Sequence, residues 1–189
     1  MNGGLRRYSK QGSYRSGKGS YFEGGIREPM LVRWPAKVAA GSTCDVPVIG
    51  IDFYPTFLEA AGAKVPEGKI LDGVSLIPLL TGSGDEHRAL FWHFAVYLQA
   101  YSKDNDDAHE ALFRTRPGSA MRFGKWKLYE YFEDGRIELY DLSEDIGERH
   151  NLADEKPDKT SELHAMLKKW REDLDCPVPT NLNPAYRGD

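Results

Sequence analysis

The residues best placed to do chemistry lie near the start of the chain, in Ser16-Gly17-Lys18-Gly19-Ser20. Glycines on both sides of Lys18 let the backbone come close to a ligand, and a compact ammonium held there is suited to a tetrahedral oxyanion. A second pattern overlaps the first. Gly12 to Lys18 fits the GxxxxGK half of a phosphate-binding loop, but its surroundings do not fit. Such a loop needs Ser or Thr directly after the Lys, a hydrophobic strand before it and a helix after it. Here Gly19 follows Lys18, polar residues 6–11 precede it, and Gly24-Gly25 interrupt any helix. The residues alone therefore point to an anion site that is not a nucleotide site. Glu23 and Arg27, four apart, read as an ion pair that shapes this loop rather than as substrate ligands.

Charge supports the same conclusion. Residues 1–40 carry eight basic side chains (Arg6, Arg7, Lys10, Arg15, Lys18, Arg27, Arg33, Lys37) against two acidic ones (Glu23, Glu28), while the whole 189-residue chain has net charge −4. A basic, glycine-rich opening on an acidic body suggests that the opening meets an anion and the rest is scaffold. A pI near 5.8 argues against a nucleic-acid partner. No stretch approaches the roughly 20 apolar residues of a membrane-spanning helix, and the polar, glycine-rich N-terminus has no signal-peptide core. Cys44 and Cys176 are the only cysteines. Two such distant residues exclude a disulfide scaffold and a CxxC zinc site, and leave the redox compartment open.

The elements that must position Lys18 follow from periodicity and punctuation. Residues 1–25 hold seven glycines and read as a long loop. Met30 to Trp34, between Pro29 and Pro35, reads as a short buried strand. Asp52 is placed to cap a helix through Tyr54, Phe57, Leu58 and Ala61, stopped at Gly62, and Ser75 opens a second short helix to Gly82. Residues 89–94 read as a strand and 95–117 as a polar excursion. Residues 120–123 and 126–132 form a hairpin about Gly124-Lys125, and Asp134-Gly135 turns into a third antiparallel strand through Ile137, Leu139 and Tyr140. Leu163, Leu167, Trp170 and Leu174 share one face of a helix over about 158–174 that should cover the sheet, and Trp126 and Trp170 sit at core spacings. The expected class is α+β, a small hairpin-built antiparallel sheet packed by a C-terminal helix. The expected organisation is a glycine-rich active-site loop and strand (1–35), a helical connection and strand (36–94), the excursion (95–117), sheet plus helix (118–175) and a Pro-rich tail (176–189).

The segment from Ser16 to Pro35 also resembles the sulfatase family, and it is not alone. Ile51 to Gly62, Leu71 to Gly82, Leu90 to His93, Gly124 to Leu128, Glu138 to Leu142, Glu148 and Asn151 to Ala153 match family motifs in family order. The resemblance implies the C-terminal region of an alkaline-phosphatase-like α/β fold. It implies a sulfuric ester hydrolase acting on sulfated carbohydrate or aryl sulfate esters, in which Lys18 contacts the sulfate and serves catalysis by neutralising the leaving oxygen. His93, beside Trp92, is placed to line a sugar subsite, with a satisfied core histidine as the competing reading. Asn2 lies sixteen residues before Lys18, where the family carries a metal-binding Asp-Asn-Gly-Gly, so it would offer its carbonyl oxygen to a divalent cation, calcium first. Met1 stands where that motif has Asp, which reads as a chain starting inside the motif.

Neither cysteine has the CxPxR setting of the formylglycine nucleophile, so the chain alone is expected to be inactive, with no cofactor bound. It is expected to form homo-oligomers through apolar surface left exposed around Met30 to Trp34. The family places the parent in the periplasm or outside the cell. Two alternatives stand beside this reading: a phosphodiesterase or phosphatase of the same superfamily, and a non-catalytic carbohydrate-binding fragment.

Overall fold

A computed structural model describes residues 10–84, 88–100, 107–109 and 112–181. In chain order its elements are α1 (Glu23–Ile26), a 3-10 turn (Gly50–Asp52), α2 (Phe53–Ala60), α3 (Ile77–Leu80), β1 (Leu90–Phe94), β2 (Leu98–Gln99), β3 (Phe113–Thr115), β4 (Gly118–Phe123), β5 (Trp126–Tyr131), β6 (Ile137–Asp141) and α4 (Pro157–Asp173). They fall into two compact units. One comprises the residues up to Glu28 together with those from Phe91 onward, and the other is Pro29–Leu90.

The first unit is built on a four-stranded sheet in the order β1-β4-β5-β6, with β2 and β3 as a separate ribbon. Both β4–β5 and β5–β6 are antiparallel. Gly124, at φ +58, makes the tight turn between β4 and β5, as the Gly-Lys pair leads one to expect. Because side chains alternate across a strand, the sheet has two distinct faces. Met121, Leu128 and Leu139 form a cross-strand row and are fully buried, as are Leu163 and Leu167 of α4, which packs on β4 and β5. Glu130, two residues on from Leu128, pairs with Arg171 at 2.6 Å and His164 at 3.1 Å and ties the helix down. The opposite face carries Ala120, Tyr129, Tyr131 and Tyr140, clustered with Tyr21 and Phe22 of the glycine-rich loop. Trp170 stacks on Phe91 at 4.8 Å, a packing role. Trp126 is only half-buried, with Lys125 and Lys156 over its ring.

The Pro29–Leu90 unit is organised around one carboxylate. Asp52 is fully buried and accepts from the amides of Ile49 (2.9 Å) and Val74 (3.1 Å) while pairing with Arg88. Thr56 bonds back to the Asp52 carbonyl and accepts from the Leu76 amide at 2.8 Å, lacing α2 to the segment before α3. Gly73 must be glycine here, since a Cβ would stand 2.2 Å from the Ile51 carbonyl.

Three expectations are corrected. Asp52 does not cap α2: its own backbone is already helical and its side chain reaches instead to the preceding turn and to Val74. Met30 to Trp34 is neither a strand nor buried; Met30, Leu31 and Val32 are 40, 98 and 40 % exposed. Pro29 and Pro35 supply no N–H at its ends, and no described strand pairs with it. The 95–117 excursion is not structureless, because β2 and β3 pair within it. Its acidic residues 104, 106 and 110 lie outside the described residues.

Candidate functional site

Lys18 sits on a turn that the backbone can make only at some cost. Ser16 is buried at φ +58 and Gly19 is at φ +95, so two left-handed residues bracket the lysine. Such conformations persist where surrounding structure over-determines them, and they concentrate at functional sites. Ser20 closes the turn by donating both its N–H (3.2 Å) and its hydroxyl (3.0 Å) to the Gly17 carbonyl. Gly17, Gly19 and Ser20 are buried, and the Lys18 side chain alone in this stretch is exposed. The following Glu23-Gly24-Gly25 run explains its own composition: a Cβ on Gly24 would lie 2.4 Å from the carbonyls of Arg15 and Ser16, and one on Gly25 would lie 2.3 Å from that of Ser20. The glycines let α1 press against the Lys18 turn.

Beneath the turn lies a buried charge network. Lys127, on β5, is fully buried between Glu23 (2.6 Å) and Glu148 (3.0 Å). Glu148 also accepts the Glu23 amide at 2.7 Å and the Tyr129 hydroxyl. Arg122 and Arg27 reach Glu23 at 3.4 and 3.5 Å. The Glu23–Arg27 pair read from sequence is thus present, as the outer rim of a larger cluster. Burial alone would raise the Glu23 carboxyl, but the charges of Lys127, Arg122 and Arg27 outweigh it and hold it below its ordinary value. Burial and the neighbouring Glu148 push the Tyr129 hydroxyl well up, so it remains a donor. Arg15 completes the tie, its guanidinium giving a 3.0 Å bond to the Glu148 carbonyl and lying over the Phe22 ring. Lys127 and Glu148 lie in family motifs, but no short-range pattern pairs them, and a Lys in an alternating strand reads as outward-facing.

Lys18 borders a cleft of about 500 Å³ that is also lined by Gly19, Tyr21, Trp92, His93, Phe94, Leu98 and Arg114. It joins an exposed cation to an aromatic wall. His93 lies where expected, on β1, with both ring nitrogens engaged. Nε2 faces the Pro177 carbonyl at 2.9 Å and Nδ1 faces the Ser119 hydroxyl at 2.8 Å. A carbonyl only accepts, so Nε2 carries the proton. Burial lowers the ring's proton affinity and leaves the neutral form that accepts from Ser119. The tail through Pro177 therefore crosses the end of β1. Asn2 lies outside the described residues, and among the described residues no three His, Cys, Asp or Glu side chains come together as metal ligands. Among them, too, no helix is long and apolar enough to cross a membrane.

Residues 17–175 match the family described as N-sulphoglucosamine sulphohydrolase, C-terminal. The chain belongs to the sulfatases, as this C-terminal portion. A sulfatase of Formosa agariphila is 33 % identical over 180 residues, covering 89 % of this chain and 31 % of that protein. The solved structure of Ps i-CgsB in complex with k-i-k-neocarrahexaose is similar with a TM-score of 0.69 at 28 % identity, over 89 % of this chain and 34 % of that one. A protein solved with its substrate D-glucosamine-2-N,6-O-disulfate is similar with a TM-score of 0.56 at 28 % identity, over 74 % of this chain and 27 % of that one. The sulfatase chain spans about a third of the length of these relatives. Its small antiparallel sheet with a C-terminal helix is the arrangement expected for this part of an alkaline-phosphatase-like fold.

Proposed function

We propose that the protein to which this sulfatase portion belongs hydrolyses sulfate esters of carbohydrate, and that Lys18 is this chain's contact to the sulfate. The observation that carries the proposal is the Lys18 turn: a single exposed ammonium on a strained, otherwise buried backbone, at the rim of a cleft walled by Trp92 and Phe94. Aromatic faces and a fixed cation together suit a sugar ring bearing an anionic group. Two of the relatives were solved with carbohydrate ligands, which supports the same substrate class.

When the bond from sulfur to the ester oxygen breaks, its electron pair stays on that oxygen. The Lys18 ammonium would neutralise the charge as it grows, and a preorganised cation is worth most where charge develops. His93, neutral and held by Ser119 and Pro177, would give the cleft a rigid wall and line the sugar subsite. Asn2 is proposed to offer its side-chain carbonyl oxygen to a divalent cation, calcium first, which when bound would draw charge off the sulfate oxygens. The nucleophile is proposed to be a formylglycine supplied from outside this chain, so the chain by itself would release no sulfate with or without calcium. A periplasmic or secreted location belongs to the same proposal.

Steady-state kinetics of Lys18→Ala in the complete sulfatase test it. Loss of an interaction made only in the transition state lowers kcat, and removing one such donor typically costs ~100- to 1,000-fold. A solvent-facing lysine would leave kcat and KM within about twofold, and that result would remove Lys18 from the active site.

A further inference from the structure

We propose that Arg114 is the positioning residue for Lys18, a role that rests on the reading of Lys18 as the sulfate contact. Arg114 lies on β3 and is 8 % exposed. Its Nη1 donates to the Lys18 carbonyl at 2.9 Å, and its Nε donates to the Gln99 carbonyl at 2.9 Å. One rigid, planar fork therefore joins the Lys18 peptide to β2, and it sets the direction in which that peptide leaves the turn.

Two features of the backbone serve this contact. In the β2–β3 ladder Leu98 faces Thr115 and Gln99 faces Phe113, which leaves Arg114 as the extra residue of a bulge. A bulge re-aims a side chain out of the regular alternation. Gly19, next to Lys18, gives the guanidinium its space: a Cβ there would stand 2.9 Å from Arg114 Nη1 and 2.6 Å from Leu98 Cδ2. Bulge and glycine thus meet at the Lys18 carbonyl, on the border of the cleft. A side chain whose peptide is displaced moves with it, and an error of about 1 Å at a reacting centre can cost ~100-fold in rate.

The test is a double-mutant cycle in the complete sulfatase, assayed on a sulfate ester. Arg114→Gln is expected to lower kcat about tenfold or more with KM within about threefold, and to have no further effect on kcat once Lys18 is Ala, because it acts only through Lys18. Retention of the full Arg114→Gln loss in the Lys18→Ala background would overturn the proposal, as would an Arg114→Gln enzyme with unchanged kcat. A purely structural role would lower the thermal midpoint while leaving kcat of the folded enzyme unchanged. Arg114→Lys keeps the charge and one donor, and carries the same cycle if the Gln variant does not fold; its kcat loss is expected to be intermediate and likewise absent without Lys18. If Lys18→Ala alone leaves kcat unchanged, the sulfate-contact reading fails and this role falls with it. A normal Lys18→Ala loss beside an additive Arg114→Gln loss defeats the positioning role alone.

Discussion

The two units of this chain treat burial in opposite ways. In the sheet unit Glu23, Lys127 and Glu148 are at most 1 % exposed, although charged residues are the ones least often found inside a protein. In the Pro29–Leu90 unit Leu31, Ile70 and Phe57 stand 98, 83 and 66 % exposed, and its centre is a carboxylate. The difference separates two tasks. The sheet unit encloses charge next to the Lys18 turn, while the smaller unit is laced by hydrogen bonds to Asp52, burying Leu76 and Leu90 but leaving Leu31, Ile70 and Phe57 on its surface.

The contrast is broken most severely at Lys127. Lys127→Met leaves the Glu23 and Glu148 carboxylates facing each other without their buried cation, and removing one partner of a buried ion pair costs about 3 to 5 kcal/mol. Urea denaturation should show a loss of that size, and a midpoint unchanged from the parent would mean that the cluster carries no structural charge. Asp52→Ala should come next. It strips an acceptor from two amides and a partner from Arg88, at about 1 to 3 kcal/mol for the groups left unsatisfied. Hydrogen exchange should quicken at Ile49 and Val74; unchanged protection there would show that the lacing lies elsewhere.

A smaller effect comes from acid. Burial would raise the Glu130 carboxyl, but His164 and Arg171 outweigh it and hold it at about 2, below its ordinary 4.5. A folded-state value below the unfolded one gives stability that is fully present above about pH 4.5 and is lost as pH falls toward about 2. The stability gap between the parent and Glu130→Gln should therefore shrink across that window. A gap that stays constant from pH 5 to 2 would mean that Glu130 does not tie α4 to the sheet as an anion. Glu130 is half-buried, so solvent screening keeps this effect below the first two.

What could be read from the residues was whatever is local. The β4–β5 hairpin, the Asp134-Gly135 turn and the apolar stripe of α4 each rest on short-range patterns, and each formed with ends shifted by a residue or two. Lys18 between its glycines was legible for the same reason, since the turn and its unusual φ values lie within five residues. Lys127 was not, because its partners Glu23 and Glu148 are far away in sequence and only the folded chain brings them together. Arg114 escaped notice because a bulge breaks the alternation by which its side chain would be placed. Met30 to Trp34 misled in the reverse direction: an apolar run bounded by prolines has the composition of a strand, but a strand exists only where a neighbouring backbone pairs with it. His93 is the intermediate case, correctly set on β1 but engaged by a tail whose prolines revealed only that it would be irregular.

The central claim is that the Lys18 ammonium neutralises charge on the departing oxygen, and the most direct measurement of it is the dependence of kcat/KM on the leaving group. In the complete sulfatase, Lys18→Ala should lose little on aryl sulfates whose phenols are acidic and progressively more as the leaving alcohol becomes a poorer anion, so that the plot of log kcat/KM against leaving-group pKa steepens. A loss of the same size for every ester, with parallel plots, would contradict the claim and leave Lys18 at most a ground-state contact.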